Sequence, residues 1–292
     1  MSSDPWAGVQ HLSAIAGFRL VTADLPRLSA FYRDVLGFML DGPGHAIGGD
    51  EMRLLGLHGS GRRQAFRLGS QSVAIEQFDP PGRPYPADGN AASLSFQHLA
   101  LVIADMGQSF QRVRGQVAIS HDGPQHLSAS SGGVVAYKFR DPDGHPLELL
   151  QFPDNSRPQA WQGKSAISGQ IGLGIDHSAI SVADADASVA FYGSLGLKPG
   201  ERTLNHGPQQ QRLDDLREVQ VTVTPMQASE GTPHLELLGY RVPRGAAGPV
   251  LQANDIGATR IVWRGTRTAL LRDPDGHLQQ IAGRDRSRCN ER

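Results

Sequence analysis

Two carboxylates and one histidine interrupt runs of residues that otherwise read as core. In Pro146-Leu147-Glu148-Leu149-Leu150-Gln151-Phe152 a repeat of two sets Glu148 on the face shared by Leu150 and Phe152. A carboxylate there must be solvated, paired or bound to a metal, because burying the bare charge is very costly. The same alternation groups Glu76 with Ala74 and Phe78, and His98 with Ala100 and Val102. Taken singly, each is most simply a polar strand residue on a wet face or one held by a hydrogen bond. Repetition is what raises Glu148 above that reading. The phrase Arg140-Asp141-Pro142-Asp143-Gly144-His145, just before it, returns letter for letter as Arg272-Asp273-Pro274-Asp275-Gly276-His277.

That phrase is turn chemistry: Pro presets φ, the Asp side chains cap backbone N–H groups, and Gly accepts a positive φ. Strand-like residues precede each copy (Val134 to Phe139, Thr268 to Leu271) and an apolar run follows, so each reads as a β-hairpin. Nearer the start, Gly17 to Thr22 reads as a strand and Asp24 as an N-cap. Leu28, Phe31, Tyr32, Val35 and Leu36 follow at helical spacing, and Gly37 ends the helix. Strands are expected at Glu51 to Leu57, Arg62 to Leu68 and Ser72 to Phe78. A Pro-rich connector, Asp79 to Ser93, precedes a restart: a strand from His98 to Ile103, then a helix through Met106, Phe110 and Val113.

The polar stretch Pro153 to Gly172 marks a boundary, and beyond it the opening returns. Val182-Ala183-Asp184 through Phe191-Tyr192 to Leu195-Gly196-Leu197 echoes Thr22-Ala23-Asp24 through Phe31-Tyr32 to Leu36-Gly37-Phe38, at an offset of 191 − 31 = 160. Glu76 and Glu236 stand at the same offset, which argues a duplicated half. The hairpin repeats at 272 − 140 = 132, so the fourth unit is shorter than the second by 160 − 132 = 28 residues. Only one strand, Ala258 to Trp263, is expected between Glu236 and the second hairpin, and no helix.

The formal charge is −1 (28 Lys and Arg against 29 Asp and Glu) with no basic block, so neither nucleic acid nor an anionic membrane is the expected partner. No apolar stretch reaches transmembrane length, Met1 to Gln10 lacks a signal-peptide pattern, and the single Cys289 allows no internal disulfide. A cytoplasmic location is expected. Of the other candidates, His145 and His277 are assigned to their turns, and Phe31, Tyr32, Phe191 and Tyr192 to packing. Arg202, Arg212, Asp214, Asp215 and Arg217 are assigned to a solvated stretch.

Four strand–helix–strands units, opened by Asp24…Phe31-Tyr32…Leu36-Gly37-Phe38 and closed by Asp141-Pro142-Asp143-Gly144-His145…Glu148, resemble the vicinal oxygen chelate superfamily. That group includes glyoxalase I, bleomycin and fosfomycin resistance proteins, methylmalonyl-CoA epimerase and type I extradiol dioxygenases. The resemblance runs from Gly17 to Ala282 and implies an α+β fold of tandem βαβββ modules. These would form two cup-shaped mixed β-sheet domains with flanking helices, residues 1–155 and 172–284. In that family the metal ligands come from the first and last strands of each unit. Carried over by position, the first pair of units offers Glu76, His98 and Glu148, with Gly17 lacking a donor. A His and two Glu suit one divalent ion such as Zn, Fe, Mn or Ni. The second pair offers a weaker set, His177, Glu236 and Gln280, with Ala258 or Thr259 where a fourth-unit His would stand.

For chemistry, the resemblance implies an enzyme whose small substrate chelates a Lewis-acid metal through two neighbouring oxygens, with Glu76 or Glu148 as both ligand and proton carrier. Glyoxalase-like lyase or isomerase chemistry is the leading expectation. An extradiol ring-cleaving dioxygenase is the alternative, but it needs two His and one carboxylate from the C-terminal pair, where the second His is missing. A cup that sequesters a small molecule without turnover, as resistance-type relatives do, is the third reading. A homodimer is compatible with all three.

Overall fold

The computed structural model describes residues 11–87, 89–166 and 169–283; Cys289 lies outside the described residues. The first unit starts with β1 (Ala14–Val21). Asp24 then caps α1 (Leu25–Ala30) by accepting the Arg27 N–H at 3.0 Å, and the helix continues as a π-helical turn (Phe31–Val35) that buries Phe31 and Tyr32. Short strands β2 (Met39–Leu40) and β3 (His45–Ala46) lead to α2 (Gly49–Leu54) and the long hairpin β4 (Ser60–Leu68) and β5 (Gln71–Asp79). The strand expected at Glu51 to Leu57 is therefore mostly helix. Asp50 and Glu51 sit in the first turn of α2 and Arg53 in its last, which suits the helix dipole, while Met52 and Leu55 are buried.

The second unit is β6 (Gln97–Ile103), α3 (Met106–Val113), β7 (Val117–Ala118), β8 (Gln125–His126), β9 (Val135–Arg140) and β10 (Pro146–Gln151). The third is β11 (Gly172–Ser181), α4 (Ala185–Ser194), β12 (Lys198–Pro199), β13 (Thr203–His206), α5 (Pro208–Asp214), β14 (Gln220–Ala228) and β15 (Gly231–Val242). The fourth keeps only β16 (Arg260–Gly265), β17 (Ala269–Arg272) and β18 (Leu278–Gly283), with no α-helix among its described residues, in line with the shortening read from the repeat offsets.

The strands assemble into two mixed sheets, giving the α+β architecture expected. One runs β17-β18-β16-β1-β5-β4-β2, with β3 beside β4; the other runs β12-β14-β15-β11-β6-β10-β9-β7, with β13 beside β14 and β8 beside β9. The first sheet thus joins units one and four through the antiparallel pair β1–β16, and the second joins units two and three through β6–β11. Each sheet takes strands from both 1–155 and 172–284, so neither half closes a sheet of its own. The segment from Pro153 to Gly172 lets unit three fold back directly beside unit two, and unit four is then left beside unit one.

Between the sheets lies a continuous core that includes Phe18, Tyr32, Phe66, Leu99, Leu149, Ile180, Tyr192 and Trp263. Burying each such side chain stabilises the fold by roughly 1.5–3 kcal/mol. The two repeated motifs meet here: Tyr32 Oη donates to Asp141 at 3.2 Å and Tyr192 Oη donates to Asp273 at 2.9 Å. The helix of one unit is thereby fastened to the turn of the next. No helix among the described residues is long and apolar enough to cross a membrane.

Candidate metal centre

β6 and β11 lie at the middle of the second sheet, and their register decides which side chains meet. His177 stands opposite Ala100, and Ala179 opposite His98. Extending each rung outward, Glu148 on β10 pairs with Ala100 and His234 on β15 pairs with His177, while Glu236 pairs with Ala179. Two rungs result, Glu148–Ala100–His177–His234 and His98–Ala179–Glu236, with side chains on one face. The alanines at their centres leave the larger side chains room to converge.

They do converge. His98 Nε2 lies 2.9 Å and His177 Nε2 3.7 Å from Glu148 Oε2, and His177 Nε2 lies 3.5 Å from Glu236 Oε2. The ligand atoms of His98, Glu148 and His177 all fall within 4.8 Å of one another. All four residues line a cavity of about 250 Å³. Behind His177, its Nδ1 is 3.0 Å from Asp176, whose other oxygen accepts the Trp161 indole N–H at 2.6 Å. A carboxylate behind an imidazole fixes its orientation and turns Nε2 into the cavity. Trp161 comes from the connector between the halves and is fully buried, so that segment supports the site as well as joining the units.

Electrostatics support the same grouping. Burial opposes ionisation of Glu148, but the Lys138 ammonium and the neighbouring His177 and His98 rings outweigh it and hold the carboxyl well below the usual range. Burial likewise opposes charge on His177, yet Glu236, Asp176 and Glu148 raise its pKa well above the ordinary value. For His98, burial and the nearby Lys138 charge prevail, and its pKa is lowered. The Glu236 carboxyl is lowered by His177 and His234 against its burial.

These residues fit a divalent metal ion. His98 Nδ1 is buried with no hydrogen-bond partner among the described residues, while Nε2 faces the cavity beside Glu148 Oε2 at 2.9 Å, and an imidazole so placed can offer a lone pair to a metal. The site also gathers four carboxylates (Glu148, Asp176, Asp214, Glu236) around one ammonium, Lys138, an excess of negative charge that a dication would offset. Two imidazoles and two carboxylates are donors suited to Zn, Fe, Mn or Ni.

The expected set Glu76, His98 and Glu148 does not form, because Glu76 belongs to the other sheet. There Glu76 is fully buried and accepts from Arg63 Nε at 2.7 Å and from Arg260, with Arg19 Nε at 3.6 Å. The second expected set also divides: His177 and Glu236 join the centre just described, whereas Gln280 donates to Glu51 at 2.9 Å beside the arginines. Ladder register corrects two further equivalences. Arg19 pairs with Arg260 as Ala179 pairs with His98, so Arg260, not Ala258 or Thr259, takes the fourth-unit position. Thr22 N–H donates to Glu76 O as Val182 N–H donates to Leu238 O, so Glu76 matches Leu238, and Ala74 matches Glu236. Guanidinium groups thus occupy the first sheet's counterpart of the candidate metal centre. Sequence reading also missed Asp176, Lys138 and Asp214. Asp214, expected in a solvated stretch, is 1% exposed in α5, where it accepts from Lys138 Nζ at 2.7 Å.

The family model described as Glyoxalase/Bleomycin resistance protein/Dioxygenase superfamily matches residues 9–149 and 174–259. Among curated proteins, none matches the chain. Among solved structures, glyoxalase I from Zea mays is similar at 14% identity and a TM-score of 0.56, covering 93% of this chain and 92% of that one. A putative dioxygenase from Bacillus subtilis subsp. subtilis is similar at 13% identity and a TM-score of 0.55, covering 94% and 86% respectively. At such identities the structural likeness speaks for the fold alone, but the sequence match takes in both halves and every strand that supplies a candidate ligand: the chain belongs to the glyoxalase/bleomycin resistance/dioxygenase superfamily.

Proposed function

We propose that the chain is a metal-dependent enzyme acting on a small substrate with two neighbouring oxygens, by proton transfer of the isomerase or lyase type. The observation that carries this reading is the convergence of His98, Glu148, His177 and Glu236 on one cavity. A divalent ion held there would supply Lewis acidity to the substrate oxygens. Glu148, ionised and fixed between Lys138 and both histidines, acts as an anchoring carboxylate. Glu236 is the better proton carrier. Its side chain is more open than that of Glu148, and His234 Nε2, 3.4 Å away, can pass a proton onward.

One observation favours a second reading, an iron-dependent ring-cleaving dioxygenase. The three groups in mutual reach are two histidines and one carboxylate, His98, His177 and Glu148, with Glu236 outside that set. The second histidine, absent from the C-terminal pair of units, is supplied by unit two. Protein purified without chelator should carry about one divalent ion per chain, and His98→Ala or His177→Ala should empty it. Full occupancy in both variants would reject the site. Oxygen uptake with a catechol by iron-loaded protein would favour the dioxygenase, whereas solvent-hydrogen exchange into an α-hydroxycarbonyl without oxygen uptake would favour the isomerase.

A further inference from the structure

Among the described residues that line the cavity there is one lysine, and its placement bears on the class of substrate. Lys138 lies on β9 directly opposite Glu148 on β10, and it is 4% exposed. One of its three N–H donors goes to Asp214 Oδ1 at 2.7 Å, and among the described residues no other protein acceptor is hydrogen-bonded to it. Asp214 is itself held on its other oxygen by Tyr240 Oη at 3.0 Å and Gln210 Nε2 at 2.8 Å. The helix that carries Asp214 is anchored in turn. Ser120 Oγ donates to Leu213 O at 2.8 Å and accepts the Lys138 backbone N–H at 2.9 Å, while Arg212 Nε donates to Gln125 at 2.8 Å. Unit three thus reaches across the sheet to fix a lysine of unit two.

Around that ammonium the walls are largely apolar, with Leu127, Val134, Leu150, Phe152, Val223 and Leu238 among the lining residues, and among the described residues no arginine lines the cavity. At about 250 Å³ the space is smaller than the roughly 300–1,000 Å³ pockets that take drug-sized ligands. Burial works against the charge on Lys138, but Asp214 and Glu148 outweigh it, so the group stays protonated.

We propose that Lys138 is the cavity's substrate-binding cation, held by Asp214 so that its free N–H groups take one oxygen of a compact, largely apolar substrate while polyanionic ligands are refused. This rests on the metal reading above and adds the substrate class to it. A single fixed ammonium can match one anionic oxygen, or one that gains charge during reaction. Once the metal and this ammonium are matched, a second or third negative charge would face Glu148, Glu236 and Glu201 with no further lysine or arginine among the described lining residues to meet it.

The test uses full-length, metal-loaded protein and two probes sharing one ring: benzohydroxamate, a vicinal-oxygen chelator that binds as a monoanion, and phenyl phosphate, a dianion. Calorimetry should show benzohydroxamate binding the wild type at least about tenfold more tightly than phenyl phosphate. Lys138→Met should weaken benzohydroxamate about 10- to 100-fold, the range of a lost charged hydrogen bond, with metal content retained. Removing the lysine alone leaves Asp214 buried without its counter-charge. The double variant Lys138→Gln/Asp214→Asn therefore repeats the measurement with both charges gone. Lys138→Arg should recover part of the affinity, which a purely structural role would not require. Unchanged benzohydroxamate affinity in a metal-replete double variant would overturn the proposal and leave the metal reading intact, as would equal affinity of the wild type for the two probes. A wild type that takes up no metal would overturn both.

Discussion

At the scale of single residues, the same side-chain type does opposite work in the two sheets. Glu148 sits among imidazoles whose lone pairs a metal can use, whereas Glu76 sits among guanidinium groups that can only donate. Their sequence surroundings are nearly alike, short apolar strands with the Glu on the even face, so alternation alone could not separate them. The neighbours that do so, Arg63 from β4 and Arg260 from β16, are 13 and 184 residues from Glu76. Glu76→Gln should therefore leave the metal content unchanged while destabilising the fold by about 3–5 kcal/mol, the usual cost of stripping one partner from a buried ion pair. Urea unfolding and metal analysis on the same preparation measure both quantities. A folded Glu76→Gln protein without metal would return Glu76 to the centre. His98, Glu148, His177 and Glu236 were each legible as candidates, being ligand types on apolar strands; their partition between sites was not.

At the scale of elements, what was legible was whatever a local pattern controls. Asp24 and Asp184 cap their helices, and the two Asp-Pro-Asp-Gly turns close hairpins. Period-based reading failed at α5, whose inward face is Gln210, Leu213 and Asp214: the spacing is helical, but two of the three residues are polar, so hydropathy sees no stripe. The 160-residue offset also misled, because β5 and β15 differ in register by two residues, which keeps the face and moves the glutamate by one pleat. The first turn carries its own titration. His145 Nδ1 is 2.8 Å from Asp141, and although burial alone would lower its pKa, that carboxylate raises it above the ordinary 6.5. Below 6.5 the ring is charged in both folded and unfolded chains, and the pair contributes in full. As pH rises past 6.5 the unfolded chain loses its proton first, so this contribution falls and is gone above the folded-state pKa. The urea midpoint of the wild type should thus drop relative to that of His145→Gln as pH is raised from about 6 toward 8. A constant difference between the two across that range would mean that the folded turn does not favour the charged ring.

At the scale of the molecule, the candidate metal centre depends on a pairing made between the two halves. His98 and Glu148 come from unit two, His177 and Glu236 from unit three, and β6–β11 is the seam that brings them together. Every local signal in the sequence, including caps, turns and strand periods, is the same whether unit two pairs with unit one or with unit three. Only long-range packing chooses, which is why four units were readable and their partnership was not. The choice has a direct consequence for a divided chain. A fragment ending near Pro153 would expose the β6 edge along with the apolar residues that face unit three, and a fragment starting near Gly172 would expose β11. Unpaired apolar edges of that length invite association. The first fragment would keep only His98 and Glu148, short of the donors a divalent ion needs, and the second would keep Asp176, His177, His234 and Glu236 without the His98 and Glu148 that complete the centre. Expressed separately, the two pieces should aggregate or self-pair, and the first should bind metal weakly. Expressed together, they should co-purify and recover about one ion per complex, since the cut falls in a connector and leaves every strand intact. The experiment is decisive because the arrangement read from sequence makes the reverse claim. With Glu76, His98 and Glu148 in one cup, the first fragment would keep a full ligand set, and finding tightly held metal in it alone would show that the centre is built along the chain and not across its two halves.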